Sequence, residues 1–201
     1  MNNSQEAQAL ITQFLNHNIS RRDFLRAFTV SIASLSLTNT LGCFYQISNK
    51  ESALNSNEDR IIEHLQNHLF PNYNNSPSAK DVNSLAYLHF VLLDEEIDIR
   101  DRKFIKNGIT WLEEEAISKY SKSFVDLTEE EKELLLKGII EKNWGERFIS
   151  NVLSYIFEAL LSDPIYGGNQ KNIGWKWLEH NPGFPRPNEE NSYQKLILKR
   201  I

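Results

Sequence analysis

The segment from Arg147 to Leu161 constrains the fold of this chain more than any other. Its apolar residues Phe148, Ile149, Val152, Leu153, Ile156, Phe157 and Leu160 spread over so much of a helical circumference that the helix must be enclosed on most sides. The enclosing layers must also be helical, because no other run sustains the period-two alternation of a half-buried strand. The expected fold class is therefore all-α, a compact helical bundle of about five helices. The central helix should end at Ser162, since Pro164 biases Asp163 away from helical geometry.

Upstream, Asn57 or Ser56 is placed to cap a helix carrying Ile61, Ile62, Leu65, Leu69 and Phe70, which Pro71 stops. Asn72 to Ser78 reads as a loop. Asp81 to Leu93, with Val82, Leu85, Leu88, Val91 and Leu92, reads as a mostly buried helix ending in the solvated acidic run Asp94-Glu95-Glu96. From Ile99 to Tyr120 the stripe is Phe104, Ile105, Ile109, Leu112, Ala116 and Ile117. Trp111 beside it either completes the core or meets a partner. Thr128-x-x-Glu131 is a capping box for a helix over Glu129 to Asn143 that should bury Leu134, Leu135, Ile139 and Ile140, with Gly145 breaking the path.

A chain of 201 residues, 40% hydrophobic and 24% charged, can bury a core without a metal or disulfide, and its net charge of −5 argues against a nucleic-acid partner. The single Cys43 rules out an intrachain disulfide, a cysteine metal site and a Cys-x-x-Cys-His haem attachment. His64 and His68, four apart, would supply half of a metal site, but no third ligand stands at the usual spacing, so no metal is expected. A dinucleotide fingerprint, a Walker loop, a nucleophile elbow and a His-Glu-x-x-His motif are all missing from the sequence. No catalytic residues are therefore assigned. No apolar run reaches the ~20 residues of a membrane-spanning helix.

Residues 1–43 read as a leader. Ser20, Arg21, Arg22, Phe24, Leu25 and Arg26 match the twin-arginine export pattern, with Asp23 between, and an uncharged, weakly apolar stretch from Ala27 to Leu41 follows. Export by this route carries proteins already folded, so a small chain bearing the signal can bring a larger partner with it. Cys43 follows Thr40-Leu41-Gly42, a partial lipobox. It is either lipidated, which would anchor the chain to a membrane, or left as an unpaired thiol. Residues 44–57 read as a linker, 58–187 as the helical domain and 188–201 as a polar tail whose Tyr193, Leu196, Ile197 and Leu198 make a short docking helix or a frayed end.

At the end of the central helix the character of the sequence changes. Asp163 to Pro187 holds half of the eight glycines and four of the six prolines, with Tyr166, Trp175, Trp177 and Phe184 between the turns. Turns carrying large amphipathic aromatics suggest a docking loop. The alternative is that these rings close the bottom of the chain's own core. Asp163-Pro-Ile-Tyr-Gly-Gly-Asn169, then Gly174-Trp-Lys-Trp-Leu178 and Pro182-Gly183, resembles the signature of the gluconate 2-dehydrogenase subunit 3 family, the small gamma-type subunits of bacterial membrane-bound flavin dehydrogenases. Where members often carry Gly before the His, this chain has Glu179 before His180.

The resemblance implies a non-catalytic accessory subunit of a dehydrogenase for a sugar, sugar acid or alcohol. It implies FAD in a large partner subunit and none in this chain, with a cytochrome c subunit as a plausible electron acceptor. It also implies passage through the twin-arginine translocase to the periplasm, with membrane contact indirect or through a lipid on Cys43. On that reading Asp163, Tyr166, Gly167, Gly168, Asn169, Trp175 and Trp177 form the partner-binding loop, Gly167 and Gly168 permitting its close turn. The competing classes are a cofactor-independent enzyme, a stand-alone periplasmic helical lipoprotein and an export chaperone that leaves its client.

Overall fold

The computed structural model describes residues 53–193. The export-signal residues Ser20, Arg21, Arg22, Phe24, Leu25 and Arg26, Cys43, and the tail residues Leu196, Ile197 and Leu198 lie outside the described residues. Among the described residues there are six helices and no strand or sheet. They are α1 Ser56–Leu69, α2 Ser84–Leu93, α3 Ile99–Tyr120, α4 Glu129–Ile140, α5 Gly145–Leu161 and a short α6 Ile173–Leu178. The compact all-α bundle read from the periodicity is thus the observed class. The sixth helix is an addition, folded within the stretch that reads as turns.

Three of the long helices, α1, α3 and α4, start where a side chain relieves their unpaired amides. α1 is capped by Asn55, whose carboxamide oxygen accepts from the amides of Asn57 and Glu58, while Glu58 accepts the Asn55 amide at 2.7 Å. The cap is therefore one residue before the two expected. The fold also begins earlier than residue 58, because Leu54 is buried in the core. α2 begins three residues later than expected. Asp81 is engaged by the amide and hydroxyl of Ser78, and Asn83 adopts a left-handed conformation that a helix interior does not tolerate. Asp98 caps α3, and the Thr128–Glu131 capping box starts α4 as expected.

α5 occupies the middle. It contacts α1, α2, α3, α4 and α6, and Phe148, Ile149, Val152, Leu153, Ile156, Phe157, Ala159 and Leu160 are all buried. Two glycines permit the closest approaches: a Cβ on Gly108 of α3 would strike the Phe148 ring, and one on Gly145 would strike the Ile139 carbonyl at the end of α4. Trp111 joins Phe104, Trp144 and Phe148 in a run of ring contacts, with 5.1 Å between the Trp111 and Trp144 centroids. Its place is therefore the edge of the core.

Two expected core positions are overturned. Leu134 is 57% exposed, and Leu136 takes the buried place beside Leu135. Ile117 is 52% exposed, so the buried stripe of α3 ends at Ala116. α4 also stops at Ile140 rather than Asn143. The tight turn into Gly145 uses those three residues, the Gly145 amide donating to the Lys142 carbonyl at 3.0 Å.

Candidate functional site: the loop that caps the central helix

The chain leaves α5 at Ser162 and turns at once. Ser162 ends the helix by taking extended geometry, Asp163 continues it, and the Asp163 carboxylate accepts the Ile165 amide at 3.1 Å, opening a single 3-10 turn over Pro164–Tyr166. The other carboxylate oxygen accepts the Arg186 Nε at 2.8 Å, and the Arg186 guanidinium lies 4.9 Å from the Trp175 ring centroid. Asp163 thereby ties the start of the loop to its end. The hydrogen bond to Asp163 raises the Arg186 pKa further above its already high ordinary value.

The glycines have separate reasons. Gly167 has φ of +90°, a conformation that costs most other residues energy, and its carbonyl accepts the Asn83 side-chain amide at 2.8 Å. Gly168 and Gly174 are spatial: a Cβ on Gly168 would lie 2.7 Å from the Ala159 carbonyl, and one on Gly174 would strike the Leu160 carbonyl. The loop thus lies directly on the last turn of α5.

Asn169 is fully buried and stitches this contact. Its Nδ2 donates to the Ser162 carbonyl at 2.9 Å and its Oδ1 accepts the Gly174 amide at 2.8 Å. Trp175, 5% exposed, donates from Nε1 to the Leu161 carbonyl at 2.7 Å. The last carbonyls of a helix have no partner within it. Here Asn169 and Trp175 supply those partners from 7 and 14 residues downstream.

Tyr166 stacks on Phe90 of α2 with centroids 6.2 Å apart, and burial, followed by the charge of Asp163, pushes its hydroxyl pKa well up. Trp177 is half-buried, edge-on to Phe70 at 6.3 Å. All seven residues singled out in the loop, Asp163, Tyr166, Gly167, Gly168, Asn169, Trp175 and Trp177, therefore gather at one end of the bundle, where α5 ends and α6 packs back on it. Trp175, Asn169, Gly168 and Gly174 face the chain's own interior. Asn83 and Arg186 belong to the same assembly, and the sequence does not single them out. Asn83 carries no sequence signal beyond its turn-forming residue type, and Arg186 had only its place beside two prolines.

Glu179 is the C-cap of α6 in left-handed geometry with φ of +55°. The local turn is kept despite the side chain. The two histidines considered as half of a metal site separate: His64 is exposed, while His68 lies between Glu129 at 2.6 Å and Glu133 at 3.5 Å, joining α1 to α4. Among the described residues no group of three or more His, Cys, Asp or Glu is arranged to hold a metal ion. No described helix is long and apolar enough to cross a membrane.

No curated protein and no solved structure matches the chain. A family model described as gluconate 2-dehydrogenase subunit 3 matches residues 56–183, from the first residue of α1 to Gly183, short of Arg186 at the end of the capping loop. The chain belongs to the gluconate 2-dehydrogenase subunit 3 family.

Proposed function

We propose that this protein is the non-catalytic small subunit of a periplasmic, membrane-associated FAD-dependent dehydrogenase acting on a sugar, sugar acid or alcohol. It binds the large flavin-bearing subunit and carries the export signal for both chains. The observation that supports this reading most is the family match over the whole helical domain, since the family is a named subunit of a dehydrogenase complex. The twin-arginine pattern over Ser20 to Arg26 supports the export role.

In this reading the flavin and the substrate contacts belong to the partner, and a cytochrome c subunit receives the electrons. The loop works as a rigid docking end. Asn169, Gly168 and Trp175 hold it on α5, and the half-buried Tyr166 and Trp177 lie nearer the partner. Lipidation of Cys43 would hold the assembly at the membrane.

The export role is tested by changing Arg21 and Arg22 together to Lys in the full chain and following the flavoprotein by its absorbance in periplasmic and membrane fractions. The expected outcome is that the flavoprotein stays in the cytoplasm. A flavoprotein that reaches the periplasm as in the wild type would refute the shared-signal role.

A further inference from the structure

Glu158 lies on the outer face of α5 close to its end, and an aromatic cluster drawn from three elements adjoins it. The Tyr87 hydroxyl of α2 donates to its Oε2 at 3.1 Å. Tyr155 stands three residues before it and so shares its side of the helix. The Tyr87 ring lies 5.8 Å from that of Phe90, which in turn stacks on Tyr166 of the capping loop. Tyr87, Tyr155 and Tyr166 are half-buried, whereas Glu158 is exposed. The carboxylate is thus open to an approaching surface, with rings beside it.

This cluster has no cation. At three other places in the fold a carboxylate, a cation and an aromatic ring meet. Arg147 pairs with Asp101 at 2.9 Å and lies 4.5 Å from the Phe104 centroid. Arg186 pairs with Asp163 at 2.8 Å and lies 4.9 Å from Trp175, and Lys132 pairs with Glu129 at 2.8 Å and lies 5.9 Å from Phe124. Glu158 forms no ion pair among the described residues, and Arg147, whose charge reaches Tyr155, is already engaged by Asp101 and Phe104. Exposed carboxylates such as Glu114, Glu130 and Glu179 also lack a cation, yet among the described residues no side-chain hydrogen bond holds theirs in place. Glu158 is held by Tyr87, and desolvation, opposed by that hydrogen bond, pushes its carboxyl up to about 7. Its ionisation costs the free chain stability, and a cation laid against it would favour the ionised form.

We propose that the flavin-bearing subunit inserts an arginine side chain here, its guanidinium pairing with Glu158 beside the Tyr87 and Tyr155 rings. This rests on the accessory-subunit reading and adds to it a contact point and the chemistry that fills it. Arginine suits the site because its planar guanidinium pairs with a carboxylate and stacks on an aromatic face at once. Arg147 and Arg186 already make that arrangement within the chain. Through Tyr166 the site adjoins the capping loop, so the contact extends the docking end.

The test titrates the flavin-containing subunit, purified from the wild-type complex, with the full chain and its variants at about pH 6 and about pH 8, either side of the Glu158 titration. Wild-type affinity should rise between the two. Glu158→Gln should weaken binding by about tenfold or more at the higher pH and reduce that rise. Its thermal midpoint should be no lower than that of the wild type, since the amide still accepts from Tyr87. Glu158→Lys, which opposes the incoming cation, should weaken binding further, and Glu114→Gln on α3 should leave affinity as it is. Affinity of Glu158→Gln within about twofold of wild type at the higher pH would overturn the proposal, taking tenfold as the mark of a closed charge pair. So would a wild-type homodimer in sedimentation that Glu158→Gln dissociates while flavoprotein binding persists. If the wild-type chain binds no flavoprotein at all, the accessory-subunit reading fails first and this site fails with it.

Discussion

Asn169 concentrates the demands of the loop in one side chain. It is buried, adopts left-handed geometry at φ of +45°, and satisfies a helix-end carbonyl and the Gly174 amide together. Asn169→Ala would leave both backbone groups without partners in a closed space, at a cost of about 2–4 kcal/mol. Chemical denaturation of the purified chain measures this, and a loss below about 1 kcal/mol would mean that the loop is held by its apolar contacts alone. Glu179 presents the reverse case. It bears the strain of a left-handed C-cap that glycine relieves, so Glu179→Gly should stabilise the chain by about 0.5–1 kcal/mol. Destabilisation would show that the Glu179 side chain makes up for its backbone. Glu158 adds a pH dependence. It lies on the solvent side of α5, yet desolvation pushes its carboxyl up to about 7, opposed by the Tyr87 hydroxyl that donates to it at 3.1 Å. Its folded pKa exceeds the ordinary value of 4.5, so stability is full below pH 4.5 and declines as pH rises through 7. The residue's partial exposure keeps the effect small. Glu158→Gln should flatten the thermal midpoint over that window, and an unchanged slope would show that other groups titrate there.

At the scale of the elements, the helices owe their starts to local chemistry and their faces to their neighbours. The box of Thr128 and Glu131 starts α4 without help from the rest of the fold, because its hydrogen bonds span three residues. Which residues of α4 are buried depends on where α5 and α3 lie. Leu134 and Leu135 are adjacent in sequence, and both are consistent with an apolar stripe. Only Leu135 is covered. Leu135→Ala should therefore cost about 2–4 kcal/mol in denaturation, and Leu134→Ala under about 0.5. Equal losses would place Leu134 in a contact that the folded monomer does not contain. α6 shows the same dependence: six residues are too few to form a stable helix alone. It persists because Gly174 and Trp175 fasten it to the end of α5.

For the whole molecule, the sequence by itself determined the class, the order of the long helices, the central position of α5 and the family signature in the loop after it. These were legible because helical periodicity, caps, prolines and short motifs act over a few residues, and nothing distant has to be known to read them. Tertiary structure alone decided what the signature residues touch. Trp175 and Asn169 have the chemistry of a docking surface, yet they turn inward because α5 ends with open carbonyls at their reach. Phe184, two residues before Arg186, stays outside. The difference is physical: burial is set by the elements that approach from elsewhere in the chain, and neither the identity nor the spacing of the loop residues records their approach.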